Sequence, residues 1–218
     1  MKSVKTIEAP YVEGIENLSW DRLEDTMRHK SAMAAIDSVN WPEAYPYAPE
    51  CSVRIARGDS HLAVMSDVTG KDLRAVEMSD NGRSWEDSCC EVFLSADGKT
   101  YFNIEVTCIG SVLIKKGTER QGRITLPMEE VAKVRRWSSL ERKSYDISGG
   151  DHHWTIMVLI PFTVIELNPA DLPDALFGNF YKCGDLTAHP HFVSWNPIDV
   201  PAPDFHRPEF FGKICLGK

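Results

Sequence analysis

Along most of the chain apolar side chains alternate with polar ones at a period of two, which predicts strands rather than helices. Residues 101–108 show it most clearly. Phe102, Ile104, Val106 and Cys108 fall on one face, and Tyr101, Asn103, Glu105 and Thr107 on the other. Such a strand is expected to be packed on one side and wet on the other. Residues 51–56 and 61–68 flank the turn Arg57-Gly58-Asp59-Ser60 and read as a hairpin. Residues 89–95 lead into 101–108 through Ala96-Asp97-Gly98-Lys99, whose Asp-Gly pair suits a tight connection. Residues 73–78 and 111–115 read as further strands. Residues 154–160 are apolar on both faces and are placed centrally, with Pro161 ending the run and a short helical turn at 162–166. Residues 176–183, 191–195 and 210–216 complete the series.

Helix-forming composition is confined to residues 20–36, with Leu23, Met27, Met33 and Ile36 as apolar positions; a short helix and a structured loop both fit. The prolines of residues 41–47 then hold the backbone extended or turned. Roughly ten short strands with little helix predict an all-β fold, a two-sheet antiparallel β-sandwich of jelly-roll-like type with minor helix near the N-terminus. Val92, Leu94, Phe102, Ile104, Val106, Ile156, Val158, Ile160 and Ile214 are its expected core. No repeat or linker divides the chain, so residues 1–40 read as a lead-in packed on a single sandwich domain of residues 41–218.

A chain of 218 residues buries enough surface to fold without disulfides or a structural metal. Its net charge of −8 argues against nucleic acid as a partner. No apolar run approaches the length that spans a membrane. None of signal-peptide length follows the two early lysines, so a cytoplasmic location is expected. The six cysteines form no CxxC pair and most lie in apolar stretches, which predicts free thiols in a reducing compartment.

Three stretches carry a resemblance. They are Trp85-Glu86-Asp87-Ser88-Cys89-Cys90-Glu91-Val92-Phe93-Leu94 with the following Tyr101-Phe102-Asn103-Ile104; Trp154 to Pro161; and Gly178-Asn179-Phe180-Tyr181-Lys182, Phe192-Val193-Ser194-Trp195 and Phe205-His206-Arg207-Pro208-Glu209-Phe210-Phe211-Gly212. In that order they resemble the carbohydrate-binding family 9-like modules, within the sandwich superfamily that includes DOMON domains. The resemblance implies a sandwich without catalysis in which two tryptophans clamp a sugar ring and acidic and amide side chains bind its hydroxyls. Trp85, six residues before Glu91, matches one clamp tryptophan with its acidic ligand, and Trp195 matches the second tryptophan. Phe192 stands where the family pattern has an asparagine, and Val112 where it has a basic ligand.

The residues agree with that chemistry. A sugar offers apolar ring faces and a polar rim, which an aromatic face and fixed hydrogen-bonding groups can read. If Val92 and Leu94 point inward, Glu91 points away from the core. The expected site is therefore Trp85, Glu91 and Trp195 on one pocket, with Asn103 and Glu105 nearby, binding a mono- or oligosaccharide. Trp41, Trp137 and Trp154 are assigned to structure. No catalytic residue, metal ligand or cofactor is expected, and structural calcium is left open, with Asp97, Asp185 and Asp199 in loops. Two alternatives are weighed on the same sequence. One is a protein-interaction sandwich that has lost the sugar; the other is a glycoside hydrolase, for which Glu91 and Glu105 become neighbours if their strands pair. Haem binding through His61 and Met65 is set aside for want of a CxxCH motif.

Overall fold

The side-chain alternation resolves into two stacked sheets. The computed structural model describes residues 4–218. Among them the strands are β1 (Thr6–Ala9), β2 (Ala32–Ala35), β3 (Ser38–Val39), β4 (Glu50–Arg57), β5 (His61–Ala75), β6 (Cys89–Ser95), β7 (Tyr101–Thr107), β8 (Val112–Gly117), β9 (Ile124–Thr125), β10 (Arg135–Ser138), β11 (Tyr145–Pro161), β12 (Ala175–Cys183), β13 (Phe192–Ser194) and β14 (Gly212–Leu216). The larger sheet runs β1-β14-β12-β6-β7-β8-β9, with β13 and then β3 added beside β12; the smaller runs β10-β11-β5-β4-β2. Neighbouring strands are antiparallel apart from β1 with β14.

The central core lies between the sheets. Val92, Leu94, Phe102, Ile104, Val106 and Ile214 meet Ile156, Val158 and Ile160 there, all of them buried as their parity predicts. The 57–60 turn and the 96–100 connection join their strands as hairpins, and the turn after Pro161 is a short 3-10 helix, Phe162–Ile165.

Three sequence expectations change. The helix over 20–36 stops early: α1 is Trp20–Lys30, and Ser31 turns extended so that residues 32–35 become β2, paired with β4. The strands expected at 61–68 and 73–78 are not separate: residues 61–75 form one continuous β5, which stops before residue 76 and is held along most of its length by β4 and β11. The wet face predicted for residues 101–108 is dry. Every residue of β6 and β7 is buried, because segments after β13 cover the outer face of the larger sheet with Phe205 and Phe211. On the far side of the smaller sheet, Leu23 and Met27 of α1 cover Ala63, Met65, Met157 and Leu159. The first forty residues thus supply strands to both sheets and the helix that closes one face.

Candidate functional site

Parity puts Cys89, Glu91 and Phe93 on the outer face of β6, opposite Cys90, Val92 and Leu94, which enter the central core. The register then sets Glu91 between Glu105 on β7 and Tyr181 on β12, and Cys89 between Thr107 and Cys183. Above this surface lies a cavity of about 370 Å³, the size of a small-ligand pocket. Its floor is Glu91, Glu105 and Cys183, and its walls include Trp85, Lys115, Arg123, Asp185, Phe192, Phe205 and His206.

Several local devices fix these walls. Trp85 sits in a 3-10 turn, Ser84–Glu86. The fully buried Asp87 just after it pairs with Arg74 and accepts hydrogen bonds from the backbone N–H of Val76 (2.8 Å) and Glu77 (2.7 Å), fastening the turn to the end of β5. The loop after β12 is tied to the same turn, since the N–H of Asp185 donates to the Trp85 carbonyl at 3.1 Å. The Lys115 ammonium lies 5.7 Å from the centre of the Trp85 ring. On the other wall the Phe205 ring stacks on Tyr181 at 4.1 Å, and the Tyr181 hydroxyl donates to the Phe205 carbonyl at 3.0 Å.

The polar floor is a connected network. Arg123 Nη1 donates to Asn103 Oδ1 (2.8 Å), and Asn103 Nδ2 donates to Glu105 Oε1 (2.8 Å). Glu91 Oε1 accepts from the Cys183 thiol at 3.0 Å. Glu105 Oε2 is buried with no hydrogen-bond partner among the described residues. Leaving such an acceptor unpaired costs roughly 1–3 kcal/mol, so a ligand hydroxyl that reaches it is rewarded.

Burial raises the pKa of Glu91 to about 7. Burial first, and then the Glu91 charge beside it, raises Glu105 well above the usual carboxylate range. Asp185 is pushed up to about 6, again mainly by burial. His206 is pushed down to about 2 by burial and by Arg123, and is neutral. At neutral pH the floor therefore holds both a protonated acid and hydrogen-bond acceptors, a set matched to hydroxyls, which donate and accept.

Of the residues expected to converge, the structure brings together Trp85, Glu91 and Glu105 on the cavity and places Asn103 in the network beneath it. It does not bring Trp195 there. Trp195 is buried in the central core against Phe180, with ring centroids 5.3 Å apart. Strand parity is the reason. Phe192 and Ser194 pair with Cys183 and Tyr181, whose side chains belong to the outer cluster, so the alternate positions Val193 and Trp195 turn inward. The aromatic that β13 gives to the cavity is thus Phe192. Val112 is likewise a core residue, and the bases on the cavity are Lys115, Arg120 and Arg123. Lys115 was legible by parity, as it pairs with Asn103 on the outer face. Arg123 and His206 arrive from loops whose path no local pattern reveals.

A buried histidine behind the site makes the protein's acid response testable. His191 is buried with its Nε2 2.8 Å from Lys182 Nζ, and burial followed by the Lys182 charge holds its pKa well below the usual value. A histidine with a depressed folded pKa adds stability above its unfolded pKa of about 6.5 and loses it as the pH falls below that value, by up to about 1.4 kcal/mol per pH unit. The raised carboxylates act the opposite way, so the effect is read as a difference. The Tm of His191→Gln is expected to gain on that of the wild type between about pH 7 and pH 5. A gap independent of pH would show that His191 titrates alike in the folded and unfolded protein, and a wild-type advantage that shrinks toward pH 7 would show that it is charged in the fold.

The geometry can be set beside known proteins. The carbohydrate-binding family 9 model matches residues 21–216, nearly the whole chain. The chain belongs to carbohydrate-binding family 9. A crystal structure from Bacteroides uniformis ATCC 8492, provisionally described as a carbohydrate-binding protein, is 35% identical over 98% of this family 9 chain and 100% of that one, with a TM-score of 0.91. Two family 9 modules from Caldicellulosiruptor kristjanssonii share the fold at 12% and 13% identity, with TM-scores of 0.55 and 0.52. One was solved with glucose, covering 98% of this chain and 97% of its own, and the other with cellotriose, covering 98% and 94%. Among curated proteins no match is found. The family 9 assignment agrees with the resemblance read from residues 85–104, 154–161 and 178–212.

Proposed function

We propose that this family 9 domain is a non-catalytic carbohydrate-binding module that holds a sugar in the cavity on the outer face of its larger sheet. The ring rests against Trp85, and its hydroxyls meet Glu91 and Glu105, with Arg123 and Asn103 holding Glu105 in place. The observation that carries this reading is the pairing of a half-buried Trp85 face with the unpartnered Glu105 Oε2 on one cavity. An apolar surface beside a desolvated, unpaired carboxyl oxygen suits a sugar ring better than a purely apolar or a purely ionic ligand. The family 9 relatives solved with glucose and cellotriose make a glucosyl ring the first ligand to try.

Glu91 and Glu105 are direct neighbours across β6 and β7, and this invites comparison with a glycosidase. An acid and its nucleophile or base must flank the scissile bond. Both glutamates belong to one buried floor, Glu91 accepting from Cys183 and Glu105 from Asn103, and the family that matches is a carbohydrate-binding one, which supports binding rather than cleavage. The test is product analysis. A cello-oligosaccharide incubated with the protein is expected back intact. Turnover by the wild type that Glu91→Gln abolishes would make the protein an enzyme.

A further inference from the structure

The sugar reading leaves unused two thiols beside Glu91, that of Cys183 in the cavity floor and that of Cys89 opposite it on the neighbouring strand. Cys89 and Cys183 are directly opposed across β6 and β12, and Glu91 lies two residues beyond Cys89 on the same face. The two sulfurs and a Glu91 carboxylate oxygen all lie within 4.8 Å of one another, and all three residues are buried. Zinc bonds of about 2.3 Å to sulfur and 2.0–2.2 Å to oxygen put the ligand atoms of a tetrahedral site about 3.5–3.8 Å apart. With all separations within 4.8 Å, a shift of about 1 Å in the side chains brings the triad to that geometry. Three different strand positions of a rigid sheet supply it, and Cys183 and Glu91 open onto the cavity, which gives an ion its entry path and leaves one coordination position facing solvent.

We propose that Cys89, Cys183 and Glu91 form a site for a thiophilic divalent cation such as Zn²⁺, with its fourth position turned into the cavity. Two soft sulfurs and one carboxylate select zinc-like ions over calcium or magnesium, which take oxygen ligands. Binding releases both thiol protons to solvent, and the two thiolates balance the charge of the ion while Glu91 completes the set. Cys51 and Cys90, buried together in the central core and absent from the lining of this cavity, serve as the internal control.

The test uses Co²⁺ as the probe, without any sugar, so that it stands or falls separately from carbohydrate binding. The full chain, reduced and stripped with chelator, is titrated with Co²⁺ and followed by absorption. The expected result is a thiolate-to-cobalt charge-transfer band with the visible bands of tetrahedral Co²⁺, saturating at a single equivalent and erased by excess Zn²⁺. The bands should vanish in Cys183→Ser and Cys89→Ser, persist in Cys51→Ser, and need more Co²⁺ in Glu91→Gln. Far-UV circular dichroism of each variant shows that it is folded. If a serine variant does not fold, a Zn²⁺-dependent rise in the Tm of both wild type and Cys51→Ser, reversed by chelator, carries the same expectation. Absence of charge-transfer bands from the wild type, or their survival in folded Cys183→Ser, would overturn the site.

Discussion

Trp195→Ala is expected to destabilise the protein by about 3–5 kcal/mol, the usual cost of emptying a buried tryptophan site. For a chain of this size that lowers the Tm by roughly 6–20 °C. The indole is 3% exposed, and its backbone N–H donates to the Phe180 carbonyl at 2.8 Å, where β12 passes from its pairing with β14 to its pairing with β13. Its six-membered ring lies over Gly212, the first residue of β14, where an added Cβ would come within 2.4 Å of Trp195 Cζ3. Only glycine lets the indole lie that close, so the ring and the start of β14 are built around each other. Glycan affinity measured at a temperature where Trp195→Ala remains folded should be close to wild type. A selective loss of affinity with no loss of stability would return Trp195 to the binding site.

Trp85→Ala is expected to do the reverse. The side chain is half-buried, and the hydrogen bonds that fix its turn use backbone atoms and Asp87 rather than the indole. Its removal takes away the aromatic face of the cavity and the surface beneath Lys115. The expected loss is about 1–3 kcal/mol of binding, roughly five- to 150-fold in Kd, with a much smaller fall in Tm than for Trp195→Ala. Calorimetric titration of the two variants side by side reads both quantities. Equal effects of the two substitutions on affinity would mean that the cavity is not where the ligand sits.

The contrast between these tryptophans shows what the amino-acid order reveals and what it does not. Residues 89–95 and 101–107 were legible because strict alternation and an Asp-Gly turn determine both the strands and the facing of Glu91, Asn103 and Glu105. Those positions depend only on local parity and one short hairpin. The facing of Trp195 depends on β13, a three-residue strand whose register is set by β12 and by the return of β14. A single step in that register would exchange Phe192 for Val193 on the cavity side, and no local pattern chooses between them. The dry outer face of β7 was hidden for a similar reason. Its polar residues are buried by a covering segment far along the chain that has no periodicity to announce it; there Asn103 bridges Arg123 and Glu105 Oε1, while Glu105 Oε2 keeps no partner among the described residues. The family resemblance pointed to the strands beside the cavity, but which of two neighbouring aromatics faces the cavity, Phe192 or Trp195, was decided by packing.

If the cavity over Glu91 and Glu105 binds a sugar through Trp85, removing that indole removes the binding. Glycan-array screening of the wild type and Trp85→Ala, each confirmed as folded, tests it most directly. At least one glycan retained by the wild type should be lost or strongly weakened in Trp85→Ala. Retention of no glycan by the wild type, or equal retention by both proteins, would contradict it.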